Sequence, residues 1–188
     1  GDPGRALVVS TGAQYEASSS IPRDKARLVM DAPGIAKAAD GSPLADPQLG
    51  VGVPVIRVNG RPAYTGLRGF GPKAIALRPE FHLVSGRMFR PGKRELIVGV
   101  GAHTMFRDMN VGDKVILPDG EWPIVGSFTT GDLLDGHRAG DSDTVRRAVR
   151  KPVYNSVLVR LASPCSFTTF KRALTTNPAL SVKVERHS

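Results

Sequence analysis

The chain has 188 residues, 40% of them hydrophobic, which is enough to bury the core of one domain or of two small ones and excludes a mainly disordered protein. The formal net charge is +9, but the basic residues are scattered and few aromatic residues accompany them, a pattern that argues against a nucleic-acid partner. No stretch approaches the roughly 20 apolar residues needed to cross a bilayer, and the N-terminal residues do not have the layout of a signal peptide.

Residue usage favours short strands joined by turns. Glycine (21) and proline (15) are frequent, whereas aromatic residues make up only 6% of the chain. We therefore expect an α+β or mainly β fold. Cys165 is the sole cysteine, so an internal disulfide is excluded, and no Cys/His set has the spacing of metal ligands.

The first third of the chain predicts a strand, a helix and a hairpin. Arg5–Ser10 is a short apolar strand. A helix follows the capping serines Ser18–Ser20 and ends before Pro33-Gly34. Its apolar face is predicted to comprise Ile21, Leu28, Val29 and Ala32. The next predicted elements are a weak strand at Ala36–Ala39, a loop at Asp40–Gly50, a strand at Val51–Asn59 and a hairpin turn at Asn59-Gly60.

The hairpin leads into the segment Tyr64–Phe70, followed by short predicted strands at Ala74–Leu77 and Phe81–Val84. Arg68 lies between small residues in this segment. It is interpreted either as a solvated or carboxylate-paired arginine or as an anion contact.

The stretch Gly86–Gly101, GRMFRPGKRELIVGVG, combines a turn at Pro91-Gly92, a strand at Leu96–Val98 and the start of a helix at Gly101–Phe106. Two further strands, Lys114–Leu117 and Glu121–Phe128, flank a second turn. Trp122, the single tryptophan, is interpreted as a buried anchor of this region, with ligand stacking as the alternative.

The segment Thr129–Gly140, TTGDLLDGHRAG, is predicted to be a polar loop that carries two adjacent leucines. A loop of this kind can dock a partner, and the candidate contact residues are Leu133, Leu134, Asp135, His137 and Arg138. A merely mobile loop is the alternative. The spacing of Asp132, Asp135 and Asp141 does not match a calcium-binding loop.

The C-terminal part predicts two helices and two strands. A short helix at Asp141–Val149 is followed by a strand at Val153–Leu161. A helix then opens at Ser163-Pro164, and a strand at Leu180–Val184 closes the chain. The apolar face of that helix is predicted to comprise Phe167, Phe170 and Leu174.

Charge divides the chain into three segments. Residues 1–92 carry a net charge of +5, residues 93–150 a net charge of −1 and residues 151–188 a net charge of +5. We therefore expect an α/β subdomain built from 1–92 and 151–188, into which 93–150 is inserted as a mainly β subdomain.

No catalytic arrangement is visible in the sequence. Cys165 lies in the first turn of a predicted helix and is interpreted as a small packed side chain rather than a nucleophile. Gly99-x-Gly101 follows a strand and precedes a helix, as in a phosphate-binding loop, but the third glycine is missing. The residues alone thus predict a non-catalytic globular module without a cofactor.

The order of the motifs resembles the extracytoplasmic core domain of ABC transporter permeases of the FtsX/MacB type. The resemblance covers nearly the whole chain and is carried by LVSGRMFRPGKRELIVGVGAHTMF (residues 83–106), NVGDKVIL (110–117), EWPIVGSF (121–128) and YNSVLVRL (154–161). Upstream it includes residues 7–43 and LRGFGP (67–72).

This resemblance implies a MacB-like periplasmic core domain of the α+β class, with a split α/β (βαβ-type) subdomain made from both termini. It also implies a location on the extracytoplasmic face of a bacterial inner membrane, anchored by transmembrane helices of the same permease. The domain would transmit ATP-driven conformational change to export, lipoprotein release or partner activation, without being an enzyme itself. Implied partners are an ABC ATPase acting indirectly, an extracytoplasmic adaptor or substrate protein, and a second permease copy.

Two other classes remain open at this point. A free-standing ligand- or protein-binding module would need a sizeable apolar pocket with a few polar groups. An enzyme using Cys165 would need a histidine within hydrogen-bonding distance of the thiol.

Overall fold

The structure is a computed structural model that describes residues 4–187. The α-helices in that range are α1 (Arg23–Met30), α2 (Val100–Met105), α3 (Ser142–Ala148) and α4 (Ser166–Thr175). The strands are β1 (Arg5–Ser10), β2 (Ile21–Pro22), β3 (Ala45–Ile56), β4 (Pro62–Phe70), β5 (His82–Gly86), β6 (Leu96–Gly99), β7 (Lys114–Leu117), β8 (Gly120–Thr129), β9 (Arg138–Asp141), β10 (Val153–Tyr154), β11 (Ser156–Arg160) and β12 (Val182–Arg186). This mixture confirms the predicted α+β class. None of the helices in the described range is long and apolar enough to span a membrane.

The described chain forms two compact units. Unit 1 comprises the residues up to Leu49, the segment Gly71–Leu77 and the residues from Pro152 onward. Unit 2 comprises Gly50–Phe70 and Arg78–Lys151. Residues 50–70 and 78–92 belong to unit 2 together with residues 93–151, and the pairs β4–β9 and β5–β8 connect these segments.

Unit 1 is built on an antiparallel sheet in the order β12-β1-β11-β3. The central strand β1 is buried on both faces, as its uninterrupted apolar sequence predicts. A hydrophobic cluster lies against it, and Leu44 packs at the edge of this cluster. Its buried members are Leu7, Val9, Ala13, Leu77 and Leu158.

A buried carboxylate holds the segment Gly71–Leu77 in unit 1. Asp46 is fully buried and accepts hydrogen bonds from the backbone N–H of Gly71 at 2.9 Å and of Lys73 at 3.1 Å. The amide of Gln48 donates a third bond at 2.9 Å. A Cβ at Gly71 would overlap the Asp46 carboxylate, so only glycine fits this close approach.

Several predictions for unit 1 are wrong. The stretch 40–50 is not all loop, because β3 begins at Ala45, and residues 74–77 form turns rather than a strand. Ala36–Ala39 contains only one isolated bridge, from Lys37 to Pro43. In α1 the buried residues are Ala26 and Val29, while Leu28 is 42% exposed. Cys165 is exposed rather than packed.

Other predictions for unit 1 are confirmed within a few residues. The strand β1 has the predicted bounds, and α4 buries Phe170 and Leu174 as expected. The predicted strand Val153–Leu161 is interrupted: β10 pairs with β2, while β11 pairs with β1 and β3. Asn155 lies between them, fully buried.

Unit 2 contains a mixed sheet in the order β4-β9-β6-β8-β5, with β7 also paired to β8. The pairs β4–β9 and β6–β8 are parallel, whereas β6–β9, β5–β8 and β7–β8 are antiparallel. The predicted hairpin joins β3 to β4, with Gly60 in the left-handed region at φ 88°. Its turn is closed by the bond from the Arg57 N–H to the Arg61 carbonyl at 2.9 Å.

Aromatic side chains form the core of unit 2. Phe81 stacks on Phe128 with ring centroids 5.3 Å apart and meets Phe70 edge-on at 6.5 Å. Trp122 is fully buried on β8, and its indole N–H donates to the Asp119 carboxylate at 2.8 Å. Its interpretation as a buried anchor is therefore confirmed.

Candidate partner-contact site

The connection between β8 and β9, residues 130–137, is ordered by its own carboxylates. Asp132 caps the 3₁₀ turn Leu133–Gly136 by accepting from the Leu134 N–H at 2.9 Å. Asp135 accepts from the Thr130 N–H at 2.7 Å and from the Thr129 hydroxyl at 2.9 Å. These bonds tie both acidic side chains to the loop itself, as in an Asx-type turn. We call residues 130–137 the contact loop.

Two glycines allow the contact loop to approach α2 and β6. A Cβ at Gly99 would overlap the carbonyl oxygen of Asp135, and a Cβ at Gly101 would lie 2.9 Å from the same atom. The Gly99 N–H also donates to the His137 carbonyl at 2.8 Å. The pair Gly99-x-Gly101 is thus explained by close packing against the loop.

Strand β4 supports the other side of the contact loop. The Thr65 hydroxyl donates to the carbonyl of Gly136. The imidazole of His137 lies against Gly66, where an added Cβ would come within 2.8 Å of the ring. Both ends of the 3₁₀ turn are therefore held by hydrogen bonds or packing, which favours an ordered loop over the mobile alternative.

The five predicted contact residues have very different environments. Leu133 is 88% exposed, the largest exposed fraction among the large apolar side chains described. Leu134, Asp135 and His137 are half-buried, and Arg138 is only 3% exposed. The contact loop thus presents one highly exposed apolar side chain, Leu133, on a backbone that is otherwise ordered.

Arg138 belongs to β9 and not to the loop in which the sequence placed it. It is paired with Leu67 on β4 and with Val98 on β6. Burial lowers the pKa of its guanidinium to about 10. The prediction missed this strand because Arg-Ala-Gly-Asp has neither apolar periodicity nor β-branched residues.

A carboxylate with two arginines escaped the sequence reasoning. Glu95, whose side chain is 6% exposed, accepts from both terminal nitrogens of Arg87 and from the backbone and guanidinium of Arg90. Hydrogen bonds from Arg87 and then Arg90 hold the pKa of the Glu95 carboxyl far below its usual value. This cluster closes the turn at Pro91-Gly92. The sequence feature that could have predicted this cluster is Glu95, the one acidic residue in RMFRPGKRE, which also contains four basic residues.

Unit 2 also contains an apolar cavity of about 270 Å³ that the sequence did not predict. Val84, Val98, Val100 and Met109 line it, together with the imidazole of His103. In the described range, residues 4–187, no group of three or more His, Cys, Asp or Glu side chains has the arrangement of a metal site.

Comparison of the sequence with protein-family models found no match, and comparison with curated proteins found none either. Solved structures do match. The extracellular domain of the ABC-type transporter YknZ from Gram-positive bacteria has a TM-score of 0.68 at 13% identity, over 96% of this chain and 99% of that one. The periplasmic region of MacB from Actinobacillus actinomycetemcomitans has a TM-score of 0.70 at 13% identity, over 97% and 88% of the two chains.

The chain has the fold of a MacB-type periplasmic domain. A domain described as part of a permease protein from Porphyromonas gingivalis shares the MacB-type fold, with a TM-score of 0.58 at 15% identity over 99% of this chain and 91% of that one. The resemblance inferred from the order of motifs is therefore confirmed at the level of the fold.

Proposed function

We propose that this chain is the extracytoplasmic domain of an ABC transporter permease. The observation that supports this best is the MacB-type fold, which extends over 96% or more of the chain in matches to extracellular and periplasmic transporter domains. On this proposal the protein lies on the outer face of a bacterial inner membrane, and the transmembrane helices of its own permease anchor it.

The arrangement of unit 1 supports this anchoring. β1 and β12 are adjacent and antiparallel, with Ala6 opposite Arg186 and the His187 N–H bonded to the Arg5 carbonyl at 3.1 Å. The chain therefore enters and leaves unit 1 at the same place. Two membrane helices that continue from these strands would start side by side, so a movement between them would act directly on the sheet.

The domain would work as a transmitter rather than as an enzyme. An ATPase domain or subunit on the cytoplasmic side would move the membrane helices, and the extracytoplasmic domains of a permease dimer would shift in response. We assign the membrane-proximal role to the α/β subdomain that holds both ends of the chain, predicted as 1–92 and 151–188. The inserted subdomain, predicted as 93–150, carries the contact loop.

We infer that the contact loop is where an adaptor or a substrate protein binds. Leu133 offers an exposed apolar group on a loop that is already ordered by Asp132 and Asp135. Binding through such a group loses little conformational entropy, because the backbone that presents it does not have to be ordered first.

A free-standing ligand-binding module is the second candidate function, and the cavity lined by Val84, Val98 and His103 favours it. Its volume of about 270 Å³ would hold only a small apolar group. The extent of the MacB-type fold leads us to rank this candidate second.

The proposal is tested by crosslinking in membranes. A photoreactive amino acid replaces Leu133 in the full-length parent protein, and the matched control carries it at Ile116, a 71% exposed residue of β7 in the same unit. We expect copurification of an ABC ATPase with both variants and a crosslinked extracytoplasmic protein with the Leu133 variant alone. If neither protein is recovered and the parent protein is not found in the membrane, the permease assignment is wrong and the free-standing binding module is favoured.

A further inference from the structure

Arg138 is the most unusual charged residue of unit 2. It is the first residue of β9, and its neighbours across the sheet are Leu67 on β4 and Val98 on β6, both buried and apolar. The whole residue is 3% exposed. An arginine in such surroundings normally pairs with a carboxylate or with several carbonyl oxygens.

Within residues 4–187, the Arg138 guanidinium has no such partner. Its Nε is fully enclosed and has no acceptor. Neither terminal nitrogen has a hydrogen-bond partner among the described residues, and neither is enclosed as the Nε is, so both keep some exposure to solvent. Burial lowers the pKa of this side chain to about 10, and no described carboxylate forms an ion pair with it.

The charge of Arg138 is nevertheless retained at neutral pH. With a pKa of about 10, almost every molecule carries the guanidinium as a cation at pH 7. Burial of an unpaired cation is expensive, and an apolar side chain of similar volume would avoid that penalty. Another buried ion of this unit, Glu95, has two arginines bound to it. Arg138 therefore lacks the counterion that its position calls for.

We propose that Arg138 is a binding site for a small oxyanion, a carboxylate or a phosphate group. A planar guanidinium binds two oxygens of such a group at once, and the opening at its terminal nitrogens gives the oxyanion access. The flanking Leu67 and Val98 are closed to solvent, so they offer no exposed apolar surface to the rest of a larger ligand. This site is separate from the contact loop surface at Leu133 and does not depend on the proposed transport function.

Thermal unfolding of the 188-residue chain in chloride, acetate and phosphate at matched ionic strength and pH 7 tests the proposal. A ligand that binds only the folded state raises Tm in proportion to the logarithm of its concentration. Phosphate also stabilises proteins without binding, so the measured quantity is the difference between wild type and Arg138→Met in each salt. The control variant is Arg107→Met, an exposed arginine of the same unit.

We expect the Tm of the wild type and of Arg107→Met to rise by a few degrees in acetate or phosphate relative to chloride. Arg138→Met should lose this extra rise and be at least as stable as wild type in chloride, because it no longer buries a charge. A response to acetate alone identifies a carboxylate as the ligand, and a response to phosphate alone identifies a phosphate group. Equal responses of wild type and Arg138→Met in all salts would overturn the proposal and leave water as the sole partner.

A second measurement does not depend on how well the variant folds. The Nε–Hε NMR signal of Arg138 in the wild type is followed during titration with sodium acetate and sodium phosphate. A saturable shift of that signal supports the site. The proposal would be contradicted if the Arg138 signal did not shift, or if it shifted no more than the signals of the exposed arginines.

Discussion

The individual side chains that matter most in this protein are charged groups whose environment decides their role. Glu95 and Arg138 illustrate the two extremes in one unit. Glu95 is enclosed by Arg87 and Arg90, so its charge is stabilised and joins two parts of the stretch Gly86–Gly101. Arg138 is enclosed by apolar neighbours and has no described counterion. The role of Glu95 is set by arginines five and eight residues away in the same turn, whereas the surroundings of Arg138 come from strands that are distant in the chain.

Substitution of Glu95 by Gln should lower the free energy of unfolding at pH 7 by about 1–2 kcal/mol, since charge-assisted hydrogen bonds are lost but the arginines remain partly solvated. The folded-state pKa of Glu95 lies below its unfolded value, so this contribution is complete above about pH 4.3 and is lost as pH falls further. Urea denaturation of wild type and Glu95→Gln at several pH values between about 3 and about 7 measures this pH dependence of the free energy of unfolding.

The matched control for this prediction is Glu121→Gln. The Glu121 side chain pairs with Lys114 at 3.4 Å, and both are more than 60% exposed. We expect its substitution to change stability by less than about 0.5 kcal/mol. A gap between wild type and Glu95→Gln that stays constant down to the lowest pH would contradict the assigned role of the carboxylate.

At the scale of elements, short polar segments are held in place by distant carboxylates and glycines. Asp46 on β3 holds Gly71–Leu77, and Gly99 before α2 makes room for the contact loop. Apolar strands such as β1, β6 and β8 were predictable from their residues alone, because burial of one or two faces imposes an apolar pattern. The start of β3 and the whole of β9 could not be predicted in this way. Asp46 and Arg138 are residue types that are typical of loops, and only their distant neighbours show that they lie in strands.

Substitution of Asp46 by Ala should lower the free energy of unfolding by about 3 kcal/mol, because one buried and two half-buried donors lose their acceptor. Hydrogen exchange should speed up first at the Gly71 and Lys73 amides. Asp40→Ala is the control, as Asp40 is an exposed residue that binds only nearby Ser42. Unchanged protection of the two amides in Asp46→Ala would refute the anchoring role.

Substitution of Gly99 by Ala should displace the contact loop, because the new Cβ would overlap the Asp135 carbonyl. We expect a loss of about 2 kcal/mol or more and faster proteolytic cleavage near Leu133. Gly52→Ala is the matched control: no atom lies within 4 Å of its added Cβ, so stability should be equal to or slightly above that of wild type. Equal cleavage rates in the two variants would show that the loop does not rest on Gly99.

At the scale of the whole molecule, the fold is shared with transporter domains at only 13% identity. Buried positions accept many apolar residues of suitable volume, so the order of strands and turns persists after individual residues have changed. That order was readable in this sequence and predicted the MacB-type fold. The boundaries of the units were less predictable, because they follow from strand pairs between residues far apart in the chain.

The central claim is that this domain lies outside the cytoplasm as part of a membrane permease. Cys165 provides a direct test, since it is the only cysteine of the chain and its side chain is exposed. The parent protein, with any cysteines elsewhere replaced by serine, is labelled with a membrane-impermeant maleimide in cells with an intact inner membrane. A Cys165→Ser variant serves as the control. Our account predicts labelling of Cys165 without permeabilisation, whereas labelling only after the inner membrane is broken would contradict it.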